Sequence, residues 1–292
     1  MAKVLEIKNL TKKYGNKVIL DNISFSLEKG KVCGFLGPNG AGKTTTMKII
    51  VDLLEKDGGQ ILYDNATKIS YLQDVPQFYE FYTISEYLEF LLSLNDNNDL
   101  KKIDEVLKLV GLTKEKDKVI KRLSRGLRQR LGIAASIIND PNILILDEPV
   151  SALDPIGRKE IFDLINKLKG KMSIIFSSHI LSDAERICDQ IIIIDGGKIL
   201  LDKKVNEISI STNKLIIEFM NGEDLDKFKE KYGKEIEVNS NLVEIESDDI
   251  NNEQLIIFDI LLKSKICVNS IDIKKQGLED IFVSEVSKNE KN

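Results

Sequence analysis

Residues 31–45 read KVCGFLGPNGAGKTT: a short apolar strand, a glycine-rich loop, then a helix that starts at Lys43. Gly37 to Thr45 match G-x-x-x-x-G-K-[ST] in the strand–loop–helix setting that gives this pattern its meaning. Gly37, Gly40 and Gly42 let backbone N–H groups turn inward around phosphate oxygens. Pro38, Asn39, Ala41 and Thr45 belong to the same nucleotide-facing stretch. Lys43 supplies a point charge for the β- and γ-phosphates, and the Thr44 hydroxyl is placed to ligate Mg²⁺.

Short apolar runs alternate with amphipathic stretches up to about residue 205, the pattern of an α/β domain with a mostly buried sheet. Strands are expected at VLEIKNLTKKYG, VILDNISFSLEKG, QILYD, KISYLQ, NILILDEP, KMSIIFSSH and QIIIIDGGKIL. Helical spacing marks DLKKIDEVLKLVGL and RQRLGIAASIIND. Beyond residue 205 the texture changes. There the chain reads as strand 213–220, helix 222–232, strands 235–239 and 241–247, helix 251–264, strand 266–274 and a last helix from about 277. The βαββαβ order predicts a small ferredoxin-like unit over 206–292.

The totals bound the partners. The net charge of −5 gives no bulk reason to bind nucleic acid. Arg122, Arg125, Arg128 and Arg130 do cluster, which is read as a solvated helix face with packing. Three widely spaced cysteines, with Cys33 and Cys188 among apolar residues, suggest buried free thiols in a reducing cytosol. The first residues, MAKVLEIKNL, hold no secretory apolar core, and the longest apolar runs are strand-length. Work at a membrane would then need another chain to hold this one there.

A second chemical cluster follows the strand ILIL. Asp147 is placed to hold Mg²⁺, directly or through water, and Glu148 to polarise an attacking water. With these motifs in this order, residues 1 to about 205 resemble the ATP-binding subunit of an ABC transporter of the drug- or multidrug-export type. The resemblance implies a P-loop NTPase fold of ABC ATPase type, with a helical subdomain at about 76–140. It implies ATP and Mg²⁺ as ligands. Tyr14 falls where the family stacks an aromatic ring on adenine, and LSRGL (123–127) falls on the signature motif. SALDP (151–155) falls on the D-loop, with Asp154 counted among the nucleotide contacts, and SSHIL presents His179, the switch histidine. In this family two chains dock head to tail, and Ser124 and Gly126 of one meet the γ-phosphate held by the other. The implied partners are therefore a second copy or a homologous ATPase chain, and an integral membrane permease. The implied location is peripheral, at the cytoplasmic face of the cell membrane. The 206–292 unit resembles the accessory domain of some members.

Two positions depart from the pattern. The usual signature is Leu-Ser-Gly-Gly-Gln, and here Arg125 and Leu127 replace its third and fifth residues. The usual Q-loop is Tyr-Leu-Pro-Gln, and here the chain reads Tyr71, Leu72, Gln73, Asp74. Strict register puts Asp74 in the Gln place beside the metal; a shifted loop would put Gln73 there. Next come Phe78, Tyr79, Phe81 and Tyr82, read either as local core or as an interface for the permease. Rival readings are a soluble ABC-type ATPase acting on ribosomes and a regulatory ATP-binding module. A chromosome-organising ATPase would insert a long coiled coil between Lys43 and Ser124, which stand only 81 positions apart (124 − 43).

Overall fold

The computed structural model describes residues 2–64, 66–95, 99–151, 153–207, 213–234, 236–247 and 249–274. The chain divides into two compact units, residues 1–206 and 207–292.

In the first unit the chain begins with strands β1 (Lys3–Tyr14), β2 (Lys17–Glu28) and β3 (Val32–Leu36), then helix α1 (Lys43–Ile50). Strands β4 (Gly58–Leu62) and β5 (Ile69–Leu72) lead to helices α2 (Ile84–Ser93), α3 (Lys101–Val110) and α4 (Arg125–Ile137). Then come β6 (Ile143–Leu146), α5 (Pro155–Leu168), β7 (Ser173–Ser178), α6 (Leu181–Glu185), β8 (Gln190–Asp195) and β9 (Lys198–Lys204).

The main sheet has the order β5-β6-β7-β3-β8-β9. Its neighbours pair in parallel except β8 with β9. VCGFL, ILIL and SIIFSS are buried along their whole length, as expected of parallel strands covered on both faces. A second, antiparallel sheet, β2-β1-β4, packs one face against α1 and the main sheet. Leu5, Ile7, Leu20 and Phe25 meet Met47 and Ile50 and the alternate residues Cys33, Phe35, Ile145, Ile175 and Ile192 there. Cys33 and Cys188 are buried free thiols, and burial pushes both well above the usual thiol range.

QIIIIDGGKIL is not one strand. Gly196 and Gly197 take positive φ of 51° and 78°, and the chain folds back as the β8–β9 hairpin. Two consecutive left-handed residues make the tight turn whose twist suits a hairpin. Residues 76–140 hold α2, α3, α4 and two single 3₁₀ turns, with no strand among the described residues. A capping box starts α2: the Thr83 hydroxyl accepts from the Glu86 N–H while the Glu86 carboxylate accepts from the Thr83 N–H.

The second unit comprises β10 (Asn213–Phe219), α7 (Gly222–Tyr232), β11 (Glu237–Asn239), β12 (Leu242–Ser247), α8 (Ile250–Ser264) and β13 (Val268–Lys274). Its antiparallel sheet has the order β11-β12-β10-β13, the split βαβ arrangement. Leu215, Ile217, Phe219, Val243 and Ile245 pack with Leu225, Phe228, Ile257 and Leu261 of the two helices. The helix expected from about 277 lies outside the described residues.

Candidate functional site

Four neighbouring parallel strands end on one edge, and each hands the chain to a motif. After β3 comes the loop 37–42, after β5 Gln73 and Asp74, after β6 Asp147 and Glu148, and after β7 His179. Crevices beyond the carboxyl ends of such strands are where α/β sheets hold ligands.

The loop is built for an anion. A Cβ at Gly37 would stand 2.0 Å from the Ile194 carbonyl oxygen, so only glycine fits. Gly42 caps α1 in left-handed backbone, with no side-chain cap and no acidic residue in the first turn. The N–H groups at this helix start are left for an incoming anion. Lys43 is buried; its Nζ donates to the carbonyls of Gly37 (2.7 Å) and Pro38 (3.1 Å) and lies 3.3 Å from Glu148 Oε1. That last contact is an ion pair without hydrogen-bond alignment, since Glu148 Oε1 is otherwise unpartnered. Thr44 is exposed at the helix start, as are Pro38, Asn39 and Gly40 on the loop, while Ala41 is buried and Thr45 half-buried.

Asp147 is buried and held by two hydroxyl donors, Tyr71 Oη at 3.0 Å and Ser177 Oγ at 2.7 Å. Ser177 Oγ also accepts the Glu148 N–H at 2.8 Å. Glu148 takes a positive φ of 48°, a strained backbone for a non-glycine residue, and this bond helps to fix it. Glu148 Oε2 lies 2.9 Å from His179 Nδ1. Asp74 is half-buried beside this group: burial and then the charges of Glu148 and Asp147 push its carboxyl up, while Arg125 draws it down. Gln73 points away: it is exposed and donates to the Val75 carbonyl of its own loop at 3.0 Å. The strict register is thus the one that sets its side chain among the carboxylates.

Other motif residues stand apart. Tyr14 is 54% exposed, with Lys12 Nζ 5.4 Å from its ring. Ser124 caps α4 by accepting the Leu127 N–H at 3.4 Å, and a Cβ at Gly126 would meet nothing within 4 Å. Asp154 caps α5, accepting the Gly157 N–H at 2.7 Å, so in this chain its carboxylate is engaged at a helix start. Among the described residues no hydrogen bond or ion pair links Ser124, Gly126 or Asp154 to the 37–45 loop.

The ABC transporter family model matches residues 20–151. ABC transporter ATP-binding protein YxlF of Bacillus subtilis is 34% identical over 294 residues, covering 97% of this chain and 99% of its own. Bacitracin transport ATP-binding protein BcrA of Bacillus licheniformis is 33% identical over 306 residues, covering 97% of each chain. The solved structure of cbiO1 from Clostridium perfringens, part of the ABC transporter complex cbiONQ, superposes with a TM-score of 0.64 at 26% identity. That match covers 71% of this chain and 91% of its own. This chain belongs to the ABC transporter ATP-binding proteins. It is the ATP-binding, ATP-hydrolysing subunit of such a transporter, and full-length relatives with transporter names set aside the ribosomal and regulatory readings. Among the described residues no helix is long and apolar enough to cross a membrane.

As an ABC ATPase the chain needs a hard cation near the triphosphate, and its donors fit one. Asp74 Oδ1 and Glu148 Oε1 are buried oxygens without a hydrogen-bond donor, next to Asp147. No three His, Cys, Asp or Glu side chains among the described residues form a metal cage. This is the pattern suited to Mg²⁺, which takes one or two carboxylates and fills its shell with phosphate and water oxygens. Sequence reasoning passed over Tyr71 and Ser177 as site members. Strand pairing could have found Ser177: β6 and β7 are in register at Leu146 and Phe176, so the next residues, Asp147 and Ser177, are neighbours.

Proposed function

We propose that this ABC ATPase subunit closes on Mg²⁺·ATP as a head-to-tail pair with a second ATPase chain, and that closure drives a separate export permease. The observation that carries the reading is a division of labour. Lys43, Asp147, Glu148 and His179 converge on one loop, while Ser124 and Gly126 open outward with no bond to them. A helix start with a capping serine and an uncrowded glycine is ready for a phosphate brought by another chain. A second copy carries every residue needed to complete two such sites.

In this reading Asp147 and Thr44 hold Mg²⁺, with Asp74 beside them; the ion supplies neutralising charge for the β- and γ-oxygens. Lys43 binds the same phosphates, Tyr14 stacks on the base, and Glu148 orients and polarises the attacking water. His179, turned by its Nδ1 contact with Glu148, offers its other nitrogen to the γ-phosphate. Contacts that exist only with the γ-phosphate are the ones that can shift the open–closed balance. A face for the permease is supported by the loop ahead of α2. Tyr79 and Phe81 are 55% and 73% exposed and form one ring cluster with Tyr82 and Phe90. The likeness to a bacitracin transport protein supports a transport role, and the export direction is read from the resemblance to drug- and multidrug-export members. The 207–292 unit, which brings no phosphate loop, is read as an accessory domain.

Replacing Lys43 by Ala tests the reading. Binding of a fluorescent ATP analogue should weaken about a hundredfold or more, because the loop loses its phosphate cation. Unchanged affinity would overturn the assignment of the loop.

A further inference from the structure

Two buried charged groups next to the switch histidine take no part in the site described above. Asp183 lies on α6, four residues after His179, and is buried; its Oδ2 has no hydrogen-bond donor. Arg158 lies near the start of α5, and its buried Nε has no acceptor. The two face each other as an ion pair, Nη1 to Oδ2 at 4.0 Å, about 1 Å beyond hydrogen-bond length. Burial pushes the Asp183 carboxyl up; Arg158 foremost, then Arg186 and His179, draw it down, and Glu148 pushes it up. An arginine near a helix start gains nothing from the helix dipole, and the first turn of α5 holds no acidic residue. Arg158 therefore finds its counter-charge on α6. α5 is a firm base for this contact. One turn on from Arg158, Phe162 packs edge-to-face on Phe176 of β7, the strand that leads into His179, with ring centroids 6.4 Å apart. Two residues on, and so towards the opposite side of the helix, Glu160 pairs with Arg130 of the signature helix α4. α6 by contrast has five residues and no side-chain cap, too short to hold itself. Its Ala184 lies over β3, where a Cβ on Gly34 would come within 3.3 Å of it. Asp183 is its charged tie.

We propose that Arg158 is a positioning residue for the switch histidine: by pairing with Asp183 it fixes α6 against α5 and so sets where His179 stands beside Glu148. This deepens the reading given above and rests on its assignment of His179 to the γ-phosphate. Arg158 touches neither nucleotide nor water; it acts through Asp183. Because the pair is held beyond hydrogen-bond length, it orients α6 by charge without locking it. Removing Arg158 alone leaves Asp183 as a buried anion facing Glu148, and α6 must turn to reach water, carrying His179 with it. Removing both charges takes that drive away. Losing one partner is therefore more costly than losing both.

The test reads His179 itself, which is the one histidine of the chain, so that histidine labelled with ¹⁵N gives a single imidazole in the spectrum of the full chain. Without nucleotide, Arg158→Met should displace or broaden the ring signals, and Arg158→Lys should leave them in place. Arg158→Met combined with Asp183→Asn should bring them back, the non-additivity expected of a coupled pair. Steady-state hydrolysis should follow the same order. Arg158→Met should lower kcat about tenfold with ATP affinity within about threefold, and the double variant should return to within about threefold of the parent. Ring signals unmoved by Arg158→Met, or a double variant at least as impaired as the single one, would make Arg158 a support of the fold alone and overturn the proposal. The ATPase reading fails by a different sign: parent ring signals indifferent to Mg²⁺ with a non-hydrolysable ATP analogue. The nucleotide-free spectra judge the pair in either case.

Discussion

At the scale of single residues, the site depends on how one buried carboxylate is held. Asp147 has two hydroxyl donors, and one of them, Ser177, also accepts the Glu148 N–H. A single oxygen thus orients the buried Asp147 carboxylate and steadies the strained backbone of its neighbour. Ser177→Ala would leave that part-buried N–H without its partner and free Asp147 on one side. We expect kcat to fall about tenfold, the effect of roughly 1.4 kcal/mol, with ATP affinity within about threefold. Steady-state hydrolysis beside nucleotide titration checks this; an equal loss in both would mean that Ser177 supports the fold and not the catalytic geometry. Lys43, Asp147, Glu148 and His179 were legible in the sequence because each sits in a motif whose spacing has a chemical reason. Ser177 and Tyr71 were not, because a hydroxyl beside a carboxylate is created by strand register and leaves no pattern along the chain.

At the scale of elements, alternation and periodicity carried far. The strands and helices of residues 213–274 lie where apolar spacing suggested, since each has one buried face and one wet one. The β8–β9 hairpin was misread as one strand because its apolar runs hide a turn that only the φ values of Gly196 and Gly197 reveal. α5 and α6 went unmarked, since D-loop and switch motifs dominate those stretches. α7 and α8 are joined by a buried polar contact: Tyr232 Oη donates to Glu253 Oε1 at 2.6 Å, and Lys234 Nζ reaches both carboxylate oxygens at 3.0 Å. Burial pushes the Glu253 carboxyl up, but these donors outweigh it and hold it below its ordinary value of 4.5. A depressed native pKa means stability that is present above 4.5 and lost as pH falls through the native value. Glu253→Gln should therefore melt earlier than the parent near neutral pH, and the gap should close on acidification. Thermal unfolding across that range checks it; a gap that persists in acid would show that the charge contributes nothing.

At the scale of the whole molecule, the proposed two-chain ATP site calls for a phosphate-binding set and a signature set, and the sequence carries the motifs of each. The phosphate loop, the two carboxylates and the switch histidine follow neighbouring strands of one sheet. The signature serine and glycine face outward from the start of α4. On the proposed reading, the chain carries both halves because two copies exchange them, and among the described residues no hydrogen bond or ion pair joins the two sets within one chain. The central claim is that ATP, held by one chain, is capped by the signature of another. Its most direct test is the mass in solution of the Glu148→Gln chain, which should bind ATP and barely hydrolyse it, measured by sedimentation with Mg²⁺·ATP and with Mg²⁺·ADP. The account predicts a dimer with ATP and a monomer with ADP. A monomer at saturating ATP, or a dimer indifferent to the nucleotide, would contradict it.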